Sequence, residues 1–405
     1  MLIFKMAFRN IFRQRRRTTL TGLSMLVGFV LAVIFIGWGD GTYNNIIDEF
    51  TRNRLGHIQV HEKTYLDRPS LYKTIQESDE LFSILDSTRG IESWAPRLFS
   101  AGLASVGEKT AGVRIIGIDP AREDRTTQFN EKILQGRDFS RIPSKEAIIG
   151  KGLAQILNAE LGDEIVIISQ AADGSIANDL YTIIGISSSG DDLSDRTSFY
   201  LHIREAQELL VLDGRIHEIS LTVNKLNQVR KTNNLLASEI KDPDLSVAPW
   251  QVFAKAFYDA MQADKAGSYV MLIIIVFIVA VGVLNTVLMS VLERQREYGV
   301  MKAIGTKPKQ IIKVVVLEVT ILALICIILG SGLGYGANTL LSKYGLKFGE
   351  GFTYGGMKFE TMKAEINLRS FLIPAITVIL CAALISLLPA IKAARTEPAK
   401  TMRFH

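Results

Sequence analysis

Four long apolar runs decide what this chain can become. Residues 18–38 contain 21 residues without a charge, and residues 269–292 contain 24. Residues 314–337 are apolar apart from Glu318, and residues 371–390 are apolar with a proline near each end. A helix of about 20 apolar residues, rising ~1.5 Å per residue, crosses a hydrocarbon core of ~30 Å. Each run is long enough to span, and uncharged runs of this length argue against helices buried in a soluble core. The first run exceeds the apolar region of a signal peptide, and Gly37-Trp38-Gly39-Asp40 lacks a small-x-small cleavage site. It is expected to remain as an anchor.

The division of charge sets the expected topology. Residues 1–17, residues 293–313 and the tail after Ala390 together carry 16 basic and 3 acidic residues. Residues 40–265 carry 25 basic and 34 acidic residues. Basic loops stay in the cytoplasm, so both termini and the 293–313 loop are expected inside and the large acidic segment outside. The basic N-terminus is not read as a nucleic-acid tail. Phe4, Phe8, Ile11 and Phe12 recur at helical spacing opposite Arg9, Arg13 and Arg16, the pattern of an amphipathic helix lying on the inner membrane face. Membrane lipid is therefore the expected partner, with no nucleic acid.

The expected organisation is a cytoplasmic N-terminal helix (1–17), spans at 18–38, 269–292, 314–337 and 371–390, and a periplasmic domain over 39–268. A cytoplasmic segment over 293–313, a periplasmic loop over 338–370 and a cytoplasmic tail over 391–405 complete it. Within the large domain, alternation and turn signals predict strands at 57–61, 93–106, 146–149, 164–169, 180–186, 218–223 and 245–249. Helices are predicted at 79–87, 153–157 and 226–240, with a hairpin tip at Asp173-Gly174. The strand, helix and strand over 218–249 read as a βαβ-like unit that packs with residues 57–106, and 107–215 as a β-rich insertion. Residues 250–267 read as a helix with Phe253, Ala256, Phe257, Ala260 and Met261 on one face, running into the second span.

No catalytic chemistry is legible. His57 and His61 are four apart, a spacing that suits a metal on a helix, but they lie in a predicted strand, and both cysteines, Cys326 and Cys381, lie in spans. No metal site is expected. Ser, His and Asp residues occur in no nucleophile-elbow arrangement. No G-x-x-x-x-G-K-[ST] occurs, so the chain is expected to be a non-catalytic subunit that binds no cofactor itself.

The most specific feature follows the second span. Residues 293–305, ERQREYGVMKAIG, begin with dense charge and then present Val300, Met301, Ala303 and Ile304 between Gly299 and Gly305. This is a short amphipathic helix with an apolar knob, suited to a groove on a cytoplasmic partner. ERQREYGVMKAIGTKPKQI resembles the coupling segment of type VII ABC transporter permeases, the FtsX/MacB/LolC-LolE superfamily. Glu318 with Gly330, Gly332, Gly334 and Gly336, and the ending LPAIKAARTEP at 388–398, also resemble that pattern. FRNIFRQRRRT at the N-terminus, Gly39-Asp40-Gly41 and GHIQVHEKTY at 56–65 resemble the lipoprotein-releasing LolC/LolE branch.

The resemblance implies an α-helical membrane protein with four transmembrane helices and a large extracytoplasmic α+β domain. That domain would be a porter-like βαβ subdomain (about 50–106 and 216–250) with an inserted sabre-like subdomain (about 107–215). It implies that Glu293, Arg296, Glu297, Gly299, Val300, Met301, Ala303, Ile304 and Gly305 dock on a dimer of separate cytoplasmic ABC ATPase subunits, where ATP and Mg act. Glu318, Gly330, Gly334 and Pro389 would pack or transmit between spans. For a lipoprotein substrate, Val30, Ile34, Met271 and Ile275 would face an apolar cavity. A second permease, as homodimer or LolC/LolE-type heterodimer, and a periplasmic carrier are implied partners. Residues 170–181 lack the proline of the LolC carrier-recruiting hook, which sets this chain apart from that subunit. An FtsX-like mechanotransmitter and a MacB-like peptide or drug exporter are the alternative readings.

Overall fold

The computed structural model describes residues 2–13, 15–354 and 357–395. It divides into two units: Asn44–Met261 with Phe348–Glu360, and the remaining helical segments.

The larger unit contains β1 (Ile58–Glu62), β2 (Ile75–Gln76), β3 (Ile91–Val106), β4 (Lys109–Ile118), β5 (Ile133–Gly136) and β6 (Glu146–Gly150). It continues with β7 (Glu164–Gln170), β8 (Ile176–Ser187), β9 (Ser198–His202), β10 (Arg215–Ile216), β11 (Glu218–Val223) and β12 (Leu245–Pro249). β1 runs antiparallel to both β11 and β12, and β11 antiparallel to β3. So β1 and β3, joined through helix Asp79–Ser87, are parallel with β11 between them. β11 and β12, joined through helix Val229–Glu239, are parallel with β1 between them. Two split β-α-β units thus interlock. The first helix starts where its sequence predicts: Ser78 caps it by accepting from Leu81 N at 3.2 Å, with Asp79 and Glu80 in the first turn.

Alternation in residues 57–61 is the signature of a half-buried strand, yet His57, Ile58, Gln59, Val60 and His61 are all buried. The polar face is hydrogen-bonded internally except at His61 Nδ1, which has no partner among the described residues. His57 Nδ1 accepts from Val223 N at 3.1 Å, Gln59 Nε2 donates to Leu55 O at 2.7 Å, and His61 Nε2 lies 2.9 Å from Gln59 Oε1. These histidines are core groups.

The insertion closes on itself. β3 pairs with β4 along residues 97–106 and with β7 along 102–105; β7 pairs with β8, β8 with β6, β6 with β9, and β9 with β4. The result is a closed ring of six strands, a solution that leaves no free edge. Five strands come from the insertion and the sixth is the far half of β3, so the 106/107 division falls in the β3–β4 hairpin turn. A Cβ at Gly102 would lie 2.6 Å from Ile168 O, which is why only glycine lets β7 come this close.

All four spanning candidates are helices: Arg15–Phe50, Lys255–Glu293, Pro308–Tyr344 and Leu368–Ala394. Each outruns its apolar stretch. The first continues twelve residues beyond the expected end at 38, through Gly39-Asp40-Gly41, with Ile46 and Ile47 buried in the larger unit. Burial of those isoleucines offsets weak helix propensity. Upstream of the second span the helix is interrupted: Trp250–Phe253 is a short turn, Ala254 is non-helical, and the continuous helix begins at Lys255. Its inward face is Trp250, Ala254, Phe257 and Met261, whereas Ala256 and Ala260, expected on that face, are exposed. The expected loop 338–370 contains the end of the third helix and a hairpin, Leu346–Tyr354 with Met357–Met362.

In the helical unit the first and third helices interlock through small residues. Cβ positions at Gly330 and Gly334 would lie 2.6 Å from Phe29 Cδ1 and 2.7 Å from Val33 Cγ1. Those glycines are the holes for two buried knobs. Gly332 and Gly336 face open space, so only one of the two glycine pairs packs. The N-terminal segment forms the expected helix, Leu2–Arg13. Among its described side chains Ala7 is fully buried, set against Ile321 of the third helix, and Phe8 is 46% exposed. The side chains of Phe4, Ile11 and Phe12, and residues 396–405, lie outside the described residues.

Candidate functional site

The charged segment after the second helix folds as helix Gln295–Ala303, with Arg294 at its N-cap. Arg294 is buried and is the hub of the site. Its Nη1 donates to Glu318 Oε1 at 3.2 Å and Oε2 at 3.0 Å, and its Nε donates to Glu297 Oε2 at 3.0 Å. Its guanidinium carbon stands 5.6 Å from the Tyr298 ring centre. Burial by itself lowers the Arg294 pKa, but Tyr298, Glu318 and Glu297 outweigh it and hold the guanidinium above its usual value. Burial pushes the Tyr298 phenol up to about 12. Both groups keep their ordinary charge states.

Glu318 also accepts from Asn10 Nδ2 at 3.3 Å, and Glu297 pairs with Arg13 Nη1 at 3.2 Å. The N-terminal helix is thereby tied to the same hub. At the other end, Lys302 Nζ donates to Ala394 O at 3.0 Å, a cation on the last carbonyls of the fourth helix. The short helix ends in a Schellman motif: Thr306 N donates to Met301 O at 3.0 Å and Gly305 N to Lys302 O at 3.0 Å, with Gly305 at φ +97°. Gly305 is thus the residue that stops the helix.

These ties decide which face remains open. Tyr298 and Gly299 are buried, and Met301 packs against the core shared by the long helices. Arg296, Val300, Ala303 and Ile304, at i, i+4, i+7 and i+8, form the exposed stripe, with Val300 42% and Ile304 81% exposed. Glu293 is exposed as well. Of the expected apolar knob, Val300, Ala303 and Ile304 point outward and Met301 points inward. A cleft of about 700 Å³ lies between the N-terminal helix and this one, walled in part by Met6, Arg9, Val300 and Met301.

Sequence reasoning placed Glu318 in a span without its partner and omitted Arg294, Tyr298 and Asn10. The legible signal was an intramembrane carboxylate needing a cation, with Arg294 at the end of the preceding run. Pro389 is buried in the fourth helix. Val30 lies at the seam with the third helix, its Cγ2 3.4 Å from the Cβ position of Gly330. Ile34 and Ile275 are half-buried, and Met271 is half-exposed.

A family model described as the FtsX-like permease C-terminal matches residues 269–398, the stretch that holds this helix and its anchors. A model of the MacB-like periplasmic core domain matches residues 18–238, more than half of the chain. The chain belongs to the type VII ABC transporter permease superfamily. This permease is 21% identical to the lipoprotein-releasing system transmembrane protein LolC of Neisseria meningitidis, over 87% of either chain. It is 24% identical to an ABC transporter permease of Methanocaldococcus jannaschii over 99% of its own length and 97% of that protein's. Similarity to the macrolide export ATP-binding/permease protein MacB of Haemophilus ducreyi, at 23% identity, covers 98% of the permease but only 55% of MacB. Among its described residues the permease thus has four apolar helices long enough to span, and it has a large extracytoplasmic domain of the MacB periplasmic type.

Proposed function

We propose that this permease couples ATP hydrolysis by a separate cytoplasmic ATPase dimer to extraction of lipoproteins from the outer leaflet of the inner membrane. The short helix and both termini face the cytoplasm, and the large domain faces the periplasm. The observation that carries the reading is the exposed stripe Arg296, Val300, Ala303 and Ile304 on a helix held at three places. It is fastened to the third helix by Arg294–Glu318, to the N-terminal helix by Glu297–Arg13, and to the fourth by Lys302. A push on the stripe by closing ATPases is delivered to all three. ATP and Mg act on the ATPase subunits, and this chain supplies the mechanical link. Lipoprotein cargo is supported by the match to LolC over nearly the full length of both proteins.

Ile304→Glu and Val300→Glu are expected to weaken ATPase-subunit binding by at least about 30-fold, as for loss of an interface hot spot, with the fold intact. Unchanged co-purification would remove the docking argument. Photo-crosslinkers at Ile34 and Met271 are expected to capture acylated protein. The competing MacB-like export reading is supported by similarity over 98% of this chain, and capture of unacylated peptide there would favour it. Capture of a periplasmic enzyme by the large domain, with no lipid-linked adduct, would favour an FtsX-like mechanotransmitter.

A further inference from the structure

The helical unit gathers charge at the ends from which its helices run into the large domain. Asp40 stands two residues beyond the apolar run 18–38, Lys265 four before the run 269–292, and Arg369 two before the run 371–390. The ends of uncharged runs mark the boundary between hydrocarbon and headgroups, so these charges sit at the depth of lipid phosphates. Asp40 is satisfied: its carboxylate accepts from Asn367 Nδ2 at 3.0 Å and from Arg369 Nη1 at 3.3 Å. Arg369 Nη2 also donates to the Tyr269 hydroxyl at 2.7 Å.

Lys265 is different. It is half-buried, and among the described residues no carboxylate, carbonyl or hydroxyl oxygen accepts from its ammonium. That ammonium stands 5.4 Å from the Tyr43 ring centre, which orients it without neutralising it. Lys265, Arg369, Asp40 and Tyr43 border a cavity of about 60 Å³ whose apolar wall is Phe35, Ile36, Leu272 and Ile373. Two cations and one carboxylate leave the polar side net positive, directly above hydrocarbon-facing side chains. This is the complement of an amphiphile with an anionic head.

We infer that this pocket seats the phosphate of one anionic glycerophospholipid whose bulk lies outside it in the bilayer. Its phosphate oxygens accept hydrogen bonds from Lys265 Nζ, and an acyl chain lies along Phe35, Ile36, Leu272 and Ile373. A diacylglyceryl anchor on a protein cysteine has no phosphate at this level, so the site selects membrane lipid over acylated cargo and does not depend on the cargo proposed above. The phosphate would occupy the space among the first, second and fourth helices and balance the net positive charge there.

The test is native mass spectrometry of the full chain in detergent, titrated with dioleoyl phosphatidylglycerol or dioleoyl phosphatidylcholine. One cation at the surface is worth about five-fold in anionic-lipid binding. The native chain is expected to prefer phosphatidylglycerol by about that factor, Lys265→Arg to retain the preference, and Lys265→Gln to bring the ratio near one. Equal binding of the two lipids by the native chain, or an unchanged preference in Lys265→Gln, overturns the inference. Displacement of the lipid adduct by millimolar inorganic phosphate overturns it too, because it would mark a free-anion site.

Discussion

Removing Glu318 while leaving Arg294 in place should expose how much the hub contributes. The Arg294 and Glu318 side chains are 9% and 20% exposed, joined by two hydrogen bonds of 3.0 and 3.2 Å. Breaking a buried pair by deleting one partner costs about 3–5 kcal/mol, because the other charge is stranded. Here Arg294 keeps Glu297 and the Tyr298 ring, and Glu318 has some access to solvent. The expected cost of Glu318→Leu is therefore about 2–3 kcal/mol. Deleting both charges strands neither, so Arg294→Met/Glu318→Leu should return to within about 1 kcal/mol of the parent. The assay is a double-mutant cycle of reversible unfolding in mixed micelles. A single-variant cost below about 0.5 kcal/mol, or a double variant equal to the sum of the singles, would refute the assignment of Arg294 as a stranded-charge hub. ATPase stimulation, measured on the same variants, should fall in Glu318→Leu and recover only as far as the helix regains its seat.

Three further outcomes are expected. Gly330→Ala and Gly334→Ala should each lose about 1–3 kcal/mol in micelle unfolding because the new methyl meets Phe29 or Val33, whereas Gly332→Ala and Gly336→Ala meet nothing and should be near neutral; equal effects at all four would contradict the packing. Gly305→Ala places a side chain at φ +97° and should cost about 1 kcal/mol, with weaker ATPase binding as the end of the short helix frays. Burial lowers His61 from 6.5 to about 4. As pH falls below 6.5 the unfolded chain takes up the proton first, so stability complete above pH 6.5 falls by about 3 kcal/mol toward pH 4. His61→Gln should flatten that part of the pH profile of unfolding, and an unaltered profile would show that other groups govern it.

Much of the large domain was legible because its signals are local. Helix Asp79–Ser87 and strands β11 and β12 lie where periodicity and alternation place them. The helix predicted over 250–267 shows the limit of that reasoning. Its apolar residues were visible, but the buried stripe is narrower than expected, Trp250, Ala254, Phe257 and Met261 at i, i+4, i+7 and i+11, which leaves Ala256 and Ala260 outside it. Likewise Val300, Met301, Ala303 and Ile304 read as one knob, and only the anchoring of Arg294, Tyr298 and Lys302 decides that Met301 turns inward.

The number of spanning helices follows from the sequence alone, because an uncharged run of about 20 residues has one inexpensive environment whatever surrounds it. So does the existence of a short helix ending at Gly305, since capping and periodicity are near-neighbour effects. Tertiary structure alone decided the rest. It chose Gly330 and Gly334 over Gly332 and Gly336, paired Glu318 with an arginine 24 residues before it, and lent half of β3 to a ring otherwise made by the insertion. Each of these depends on which face of one element meets another far along the chain, and near-neighbour chemistry carries no record of that meeting.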